Sequence, residues 1–289
     1  MLLSIKNENL VLTVSLLGAE KVSLKTKDGK EYLHQSDQYW QSTAPFLFPN
    51  VGRLKNGYTY IENLKYELPL HGILRFQTFE VMQHKEDEIT LLSIFNKETL
   101  KKYPFEYKVF VTYQLKDFSL KTQVRITNHS TKVMPFNFGA HPGINIPLYP
   151  NEEFSDYRII FNKREKFCSP AVEKDGTINY DKSSFCFNNI TELPLKYEYF
   201  ANDAIIIPRV RSNEVKLVNK HLQGISFSFS NFISLAFWTR PQAKYLCLEP
   251  WIGHGDRYDT NHIFIEKDNI INLDATKDFF VSYTITILK

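Results

Sequence analysis

Polar and apolar residues alternate with a period of two along much of this chain, and that pattern restricts the fold more than any other feature. Leu10, Leu12, Val14 and Leu16 fall on one face of "LVLTVSL". Tyr107, Val109, Val111, Tyr113 and Leu115 do the same in "YKVFVTYQL", as do Leu120, Thr122, Val124 and Ile126 in "SLKTQVRIT". "GISFSFS" contributes Ile225, Phe227 and Phe229, and "VSYTITIL" contributes Val281, Tyr283, Ile285 and Ile287. Successive side chains of a strand point to opposite faces, so each run predicts a half-buried strand. The bounding turns "KDGK" and "LKDF" predict antiparallel neighbours. Helical signals are few: "FNKETLKKYPF" holds a turn or two, ended by Pro104. Nothing resembles the strand–helix alternation of a parallel sheet. The expectation is an all-β chain, one large antiparallel β-sandwich domain spanning 1–289 with few short helices, its loops carrying the chemistry.

Composition fits this and narrows the partners. A chain of 289 residues with 43% hydrophobic residues can bury a sizeable core, and its 23 Phe and 16 Tyr suit pleated surfaces. The net charge is +3, with Lys and Arg interleaved among Asp and Glu. Neither nucleic acid nor a membrane surface is implied as a partner. The apolar N-terminal stretch is interrupted by Lys6-Asn7-Glu8-Asn9 and shows no signal-peptide pattern, and no window approaches the ~18 apolar residues of a spanning helix. Three cysteines, Cys168, Cys186 and Cys247, lie far apart with no CxxC. That odd, scattered set predicts a reducing compartment and argues against a disulfide framework or a zinc site. The expectation is a cytoplasmic protein, a monomer or a homodimer, since exposed sheet edges permit pairing without requiring it.

Four short segments concentrate polar groups among apolar, Gly and Pro neighbours. "APFLFPNVGRLKNGYTY" holds Asn50 and Arg53, "LPLHGILRF" holds His71, "FNFGAHPGI" holds His141, and "LEPWIGHGD" holds Glu249 beside Pro250 and Trp251. Each has an ordinary reading on its own: a turn histidine for His71, surface or structural ion pairs for Arg53 and Glu249. His141 is harder to dismiss, because the small and rigid residues around it fix the backbone close to a ligand. A competing constellation, His254, Asp256, Asp259 and His262 in "HGDRYDTNH", has metal-ligand residue types. Its spacing matches no specific zinc motif, and a solvated loop explains it more cheaply, so no metal is expected. GxSxG, the P-loop and GxGxxG are all absent, leaving serine nucleophiles and nucleotide binding unsupported.

Taken in order, "NVGRLKNGYTY", "LPLHGILRF", "FNFGAHPGI" and "LEPWIGHGD" resemble the aldose 1-epimerase (galactose mutarotase) family, with wording similar to its LacX-like branch. The resemblance runs from about Pro45 to Asp256. It implies a galactose mutarotase-like supersandwich with an open sugar cleft on one sheet. It also implies roles: Glu249 as catalytic base, His141 as general acid, and His71 and Arg53 as groups that orient sugar hydroxyls. Asp203, in "NDAIIIP", resembles the family's substrate-binding carboxylate. "TNHS" occurs at 127–130, yet the acid is better placed at His141, which leaves His129 a turn residue and puts the sugar specificity in doubt. Trp251 or Trp238 offers an apolar wall to a sugar, with a core role as the alternative.

The implied reaction, opening and reclosure of an aldohexose ring, needs one proton acceptor and one proton donor and no cofactor. An unperturbed Glu, with a pKa of ~4.3, is ionised at neutral pH; a His, at ~6.5, is partly protonated, and a nearby carboxylate raises that fraction. Two rivals remain. A glycoside hydrolase would use Glu249 and Asp203 as paired carboxylates but would need no histidine. A sugar-binding or sensing protein would keep the cleft without the acid–base couple. A free hexose is the default ligand, and Lys55, Arg75 or Arg240 leave a phosphorylated one open.

Overall fold

A computed structural model describes residues 1–289. All five alternating runs are strands. In Tyr107–Lys116 and Ser119–Asn128 every second side chain is buried, and Gly224–Ser230 and Asp278–Leu288 repeat the pattern. Leu10, Leu12 and Val14 are buried in Leu10–Ser15, which ends before Leu16. The helical segment is Lys97–Lys102. Asn96 caps it by accepting the N–H groups of Glu98 and Thr99, and the helix stops at Tyr103, one residue before Pro104.

Nine antiparallel strands form the larger sheet. Their spatial order is Ile178–Pro194, Arg158–Val172, Glu214–Val218, Gly224–Ser230, Asp278–Leu288, Ser119–Asn128, Tyr107–Lys116, Glu88–Ile94 and Glu80–His84. A six-stranded sheet packs against it. It runs Ile205–Ile207, Ser234–Trp238, Tyr245–Ile252, Phe138–Ala140 and Phe46–Leu47, with Gly143–Asn145 also pairing Tyr245–Ile252. A three-stranded sheet, Leu2–Lys6 to Lys21–Thr26, completes the N-terminal part. A core of 60 buried residues joins the layers, drawing Val111, Val124, Phe227 and Ile285 from the large sheet and Phe138, Phe237, Leu246 and Leu248 from the small one. This is the expected sandwich.

The expectation of no disulfide is overturned. Arg158–Val172 and Ile178–Pro194 form one long hairpin whose register places Cys168 opposite Cys186, and the two are disulfide-bonded across 18 residues of sequence. An odd count does not prevent two cysteines from pairing. The register shifts along the hairpin hid their juxtaposition from the sequence. Cys247 alone is free, and it is buried. No helix is long and apolar enough to cross a membrane.

One glycine fixes the loop beneath the site. Gly72 has φ +75°, and a Cβ on it would lie 2.2 Å from the Phe48 carbonyl oxygen, which accepts the N–H of Ile73. Backbone on both sides leaves nothing to give way. Gly72→Ala is therefore expected to cost about 3 kcal/mol or more and to lower Tm by roughly 5 °C or more. A thermal scan matching wild type would show that the loop relaxes freely.

Candidate active site

The placement of Glu249 follows from strand alternation. In Tyr245–Ile252, Leu246, Leu248 and Ile252 point into the 60-residue core, so Cys247, Glu249 and Trp251 point to the other face of the sheet. Small residues sit across from them: Gly143 opposite Cys247, Ala236 opposite Glu249, and Gly139 opposite Trp251. The carboxylate is thus a mid-strand residue at the floor of a hollow rather than a strand end.

The neighbouring chain explains Pro250. Phe138–Ala140 pairs Trp251 and Ile252, Gly143–Asn145 pairs Tyr245 to Cys247, and between them the chain leaves the ladder at His141-Pro142. The N–H of Leu248 points to this side and donates to the Pro142 carbonyl. Two residues on, Pro250 lacks its N–H where no ladder partner stands, so proline costs no hydrogen bond. The same interruption turns His141 toward Glu249. His141 Nε2 lies 3.1 Å from Glu249 Oε2, with the two side chains only 8% and 2% exposed.

Aromatic rings hold the imidazole. Trp40 stacks on His141 at 4.8 Å between centroids, Trp238 meets it edge-on at 5.7 Å, and His71 does so at 5.5 Å. His71 is itself in the left-handed region, φ +65°, a conformation rare outside glycine and found at over-determined sites. Its Nδ1 accepts the Gly52 N–H at 3.1 Å, which leaves the ring proton on Nε2. His71 therefore enters the site as a neutral donor.

Burial sets the protonation states. It drives Glu249 well above the ordinary carboxylate range, with the Asp203 charge adding to the shift. It pulls His141 well below the usual histidine range, with His71 and Arg75 adding. Both shifts correct the expectation of a carboxylate that is ionised and an imidazole with raised basicity: taking either charge out of water costs more than the partner returns. Both shifts act in one direction, favouring a proton on the carboxyl over one on the imidazole. His141 Nδ1 is buried without a hydrogen-bond partner, and Glu249 Oε2 meets only the His141 imidazole, so both retain capacity for a polar ligand.

His71 gives the stability of the protein a testable pH dependence. Burial, helped by Arg75 and Arg53, lowers its pKa from 6.5 to about 3. Between those values the unfolded chain binds the extra proton and the folded chain does not, so stability falls as pH drops. His71→Asn keeps a residue tolerant of positive φ and is expected to flatten urea-denaturation stability against pH by up to about 1.4 kcal/mol per unit in that window. An unchanged slope would show that His71 is not held neutral. Glu249 acts in the opposite sense, its contribution present in acid and lost as pH rises above the usual carboxylate range.

Glu249, His141, His71, Arg53, Asp203 and Trp251 all line one cleft of about 310 Å³, together with Trp40, Arg75, Trp238 and Arg240. Its volume suits a single sugar ring. Val172, Gly176 and Ile178, from the tip of the disulfide-bonded hairpin, form another wall. A Cβ at Gly176 would stand 2.7 Å from Arg53 Cδ, so the hairpin tip rests on the arginine stem. Two expected residues are elsewhere. Asn50 is fully buried behind the cleft, where its Nδ2 donates to the Gly52 carbonyl at 2.9 Å and shapes the loop from within. Lys55 donates to the Tyr258 carbonyl, away from the cleft. A larger hollow of about 600 Å³, near Phe118, Phe161 and Leu222, is lined by Glu214, Lys216 and Lys289 but by no histidine and by none of the expected site residues.

The "HGDRYDTNH" residues are engaged as structural partners. Asp256 pairs with Lys267, Asp259 with Arg257, His254 hydrogen-bonds with Tyr180, and His262 stacks on Tyr58. The one grouping of metal-ligand atoms is at the cleft itself, where His141, Cys247 and Glu249 lie within 4.8 Å of one another. Burial raises the Cys247 pKa further and keeps it a thiol, so a cation there would first have to displace that proton. Sequence reasoning missed Trp40 as a wall of the site, since "YW" in a stretch without motif carries no signal of its own.

A large antiparallel sandwich with a buried His–Glu pair on the face of its smaller sheet turned away from the core has galactose mutarotase-like architecture. The fold superposes with a TM-score of 0.93 on a galactose mutarotase related enzyme from Lactobacillus acidophilus, 29% identical, covering 100% of this chain and 98% of that one. A galactose mutarotase-like protein from Lactobacillus casei ATCC 334 gives the same score at 26% identity, with 100% of both chains covered. Residues 1–257 match the family described as aldose 1-epimerase, and the chain belongs to that family. Protein LacX (plasmid) of Lactococcus lactis subsp. lactis is 33% identical over 304 aligned residues spanning both chains completely.

Proposed function

We propose that the protein is an aldose 1-epimerase, an isomerase that interconverts the α and β anomers of an aldohexose. The observation that carries this reading is the buried His141–Glu249 contact of 3.1 Å, flanked by the neutral donor His71. Sugar entering the cleft places its anomeric hydroxyl against Glu249, and a hydrogen bond from that hydroxyl favours the carboxylate form. The proton the pair holds then resides on His141. Glu249 takes the O1 proton, the O1 electrons form the C1=O1 bond, C1–O5 breaks, and O5 takes the proton from His141. Rotation about C1–C2 and the reverse transfers give the other anomer. Each positioned proton-transfer group supplies roughly 10²–10⁴-fold. Arg53, Asp203 and the Nε2–H of His71 are proposed to hold the ring hydroxyls, with Trp251 and Trp238 against the apolar sugar face.

Binding alone would need no acid–base couple, which favours catalysis over sensing. Polarimetry on freshly dissolved α-D-galactose and α-D-glucose tests the reading: relaxation faster than the spontaneous rate supports it, and no acceleration of free or phosphorylated hexoses would sink it. The continuous 60-residue core also supports treating residues 1–289 as one domain, and limited proteolysis yielding two stable fragments would refute that.

A further inference from the structure

The walls of the cleft hold more positive charge than ring opening uses. Arg53, Arg75 and Arg240 all line it, and outside the catalytic pair the lining carries one carboxylate, Asp203. None of these three guanidinium groups has a carboxylate oxygen within 4.0 Å, although they share one concave wall. Arg75 donates one N–H to Ser42 Oγ at 2.7 Å and has the rest of its fork free. Arg240 lies over Trp238, whose ring in turn meets that of His141.

A neutral hexose presents only hydroxyls, for which one arginine and one carboxylate suffice. Three guanidinium groups against the single Asp203 carboxylate in a concave wall raise the local positive potential, and their forked donors match the oxygens of a phosphate. We infer that the aldose taken by this cleft carries a phosphoryl group, bound by Arg75 and Arg240, while Arg53 serves the ring hydroxyls. The inference rests on the mutarotase reading for its placement of C1 at Glu249. Ring opening requires a free anomeric hydroxyl, so the phosphoryl group sits on another carbon. C6 is the exocyclic position that leaves every ring hydroxyl in place.

The test compares D-galactose 6-phosphate and D-glucose 6-phosphate with the parent sugars. Anomer exchange is followed by NMR above the spontaneous rate, and binding by calorimetry is measured in parallel on the full chain. Both kcat/KM and affinity are expected to favour a 6-phosphate by about tenfold or more. Arg240→Met, on an exposed side chain, and Arg75→Met should each pull that ratio down by about tenfold. Inorganic phosphate should compete with the sugar phosphate. Equal handling of free and phosphorylated hexoses overturns the inference and leaves the mutarotase reading standing. A hexuronate preferred as strongly as the 6-phosphate also overturns it, because the wall would then select any anion. Tight 6-phosphate binding with no exchange of any sugar sustains the inference and sinks the mutarotase reading. Absence of both binding and exchange defeats the two together.

Discussion

Replacing Glu249 by Gln is expected to slow anomer exchange by at least ~10²–10⁴-fold while sugar affinity changes little. Gln matches the carboxyl in size, so Ala236 across the strand and the Trp251 ring keep their packing. Burial raises the Glu249 pKa and so favours the uncharged carboxyl, which the neutral Gln amide imitates. What it removes is the ability to take the O1 proton. The expected kinetic signature is a fall in kcat with KM nearly constant, the mark of an interaction made only on the way to the transition state. A variant keeping most of its rate would place the base elsewhere. The pH profile of kcat/KM supplies a second check. The pair works with one proton, so the rate should fall in acid, where it gains a second, and in base, where it loses its only one.

His141→Asn is expected to be as damaging, again by at least ~10²-fold. Asn fits beneath Trp40 and retains polarity, but it has no proton to pass to O5. The double variant is the sharper measurement. Two groups that hand one proton between them act as a unit, so removing both should cost little more than removing either. Additive losses would show that each works independently and that the 3.1 Å contact has no catalytic meaning.

How much of this was legible in the sequence depended on the range of the physics involved. Strand alternation is local, so the runs ending at Leu115, Ile126, Phe229 and Ile287 identified their own buried faces. Residue chemistry at four short segments pointed to Glu249, His141, His71 and Arg53, which the fold brings into one cleft. Asn50 sits in the same segment as Arg53 yet faces inward, because which side of an irregular loop is solvated depends on what packs beneath it. The Cys168–Cys186 pair escaped for a related reason, since bulges change a hairpin's register without marking the sequence. Trp40 reaches His141 from a stretch with no motif. The direction of the pair's pKa shifts was misjudged because ordinary pKa values presume water, and burial is known only once the walls are in place.

The strand order of the large sheet has a consequence for how the protein comes together in time. Asp278–Leu288 lies in the middle of that sheet, between Gly224–Ser230 and Ser119–Asn128, and the Ser119–Thr286 hydroxyl contact closes a span of 167 residues. Closing so long a loop gives no return until both strands are present, and chains dominated by such contacts fold slowly. Until that strand docks, Ser119–Asn128 and Gly224–Ser230 each present an unpaired edge and the core lacks Val281, Tyr283, Ile285 and Ile287. A nascent or refolding chain therefore passes through a long interval in which half-made sheets are open to pairing with their neighbours, and dilution should improve its refolding yield.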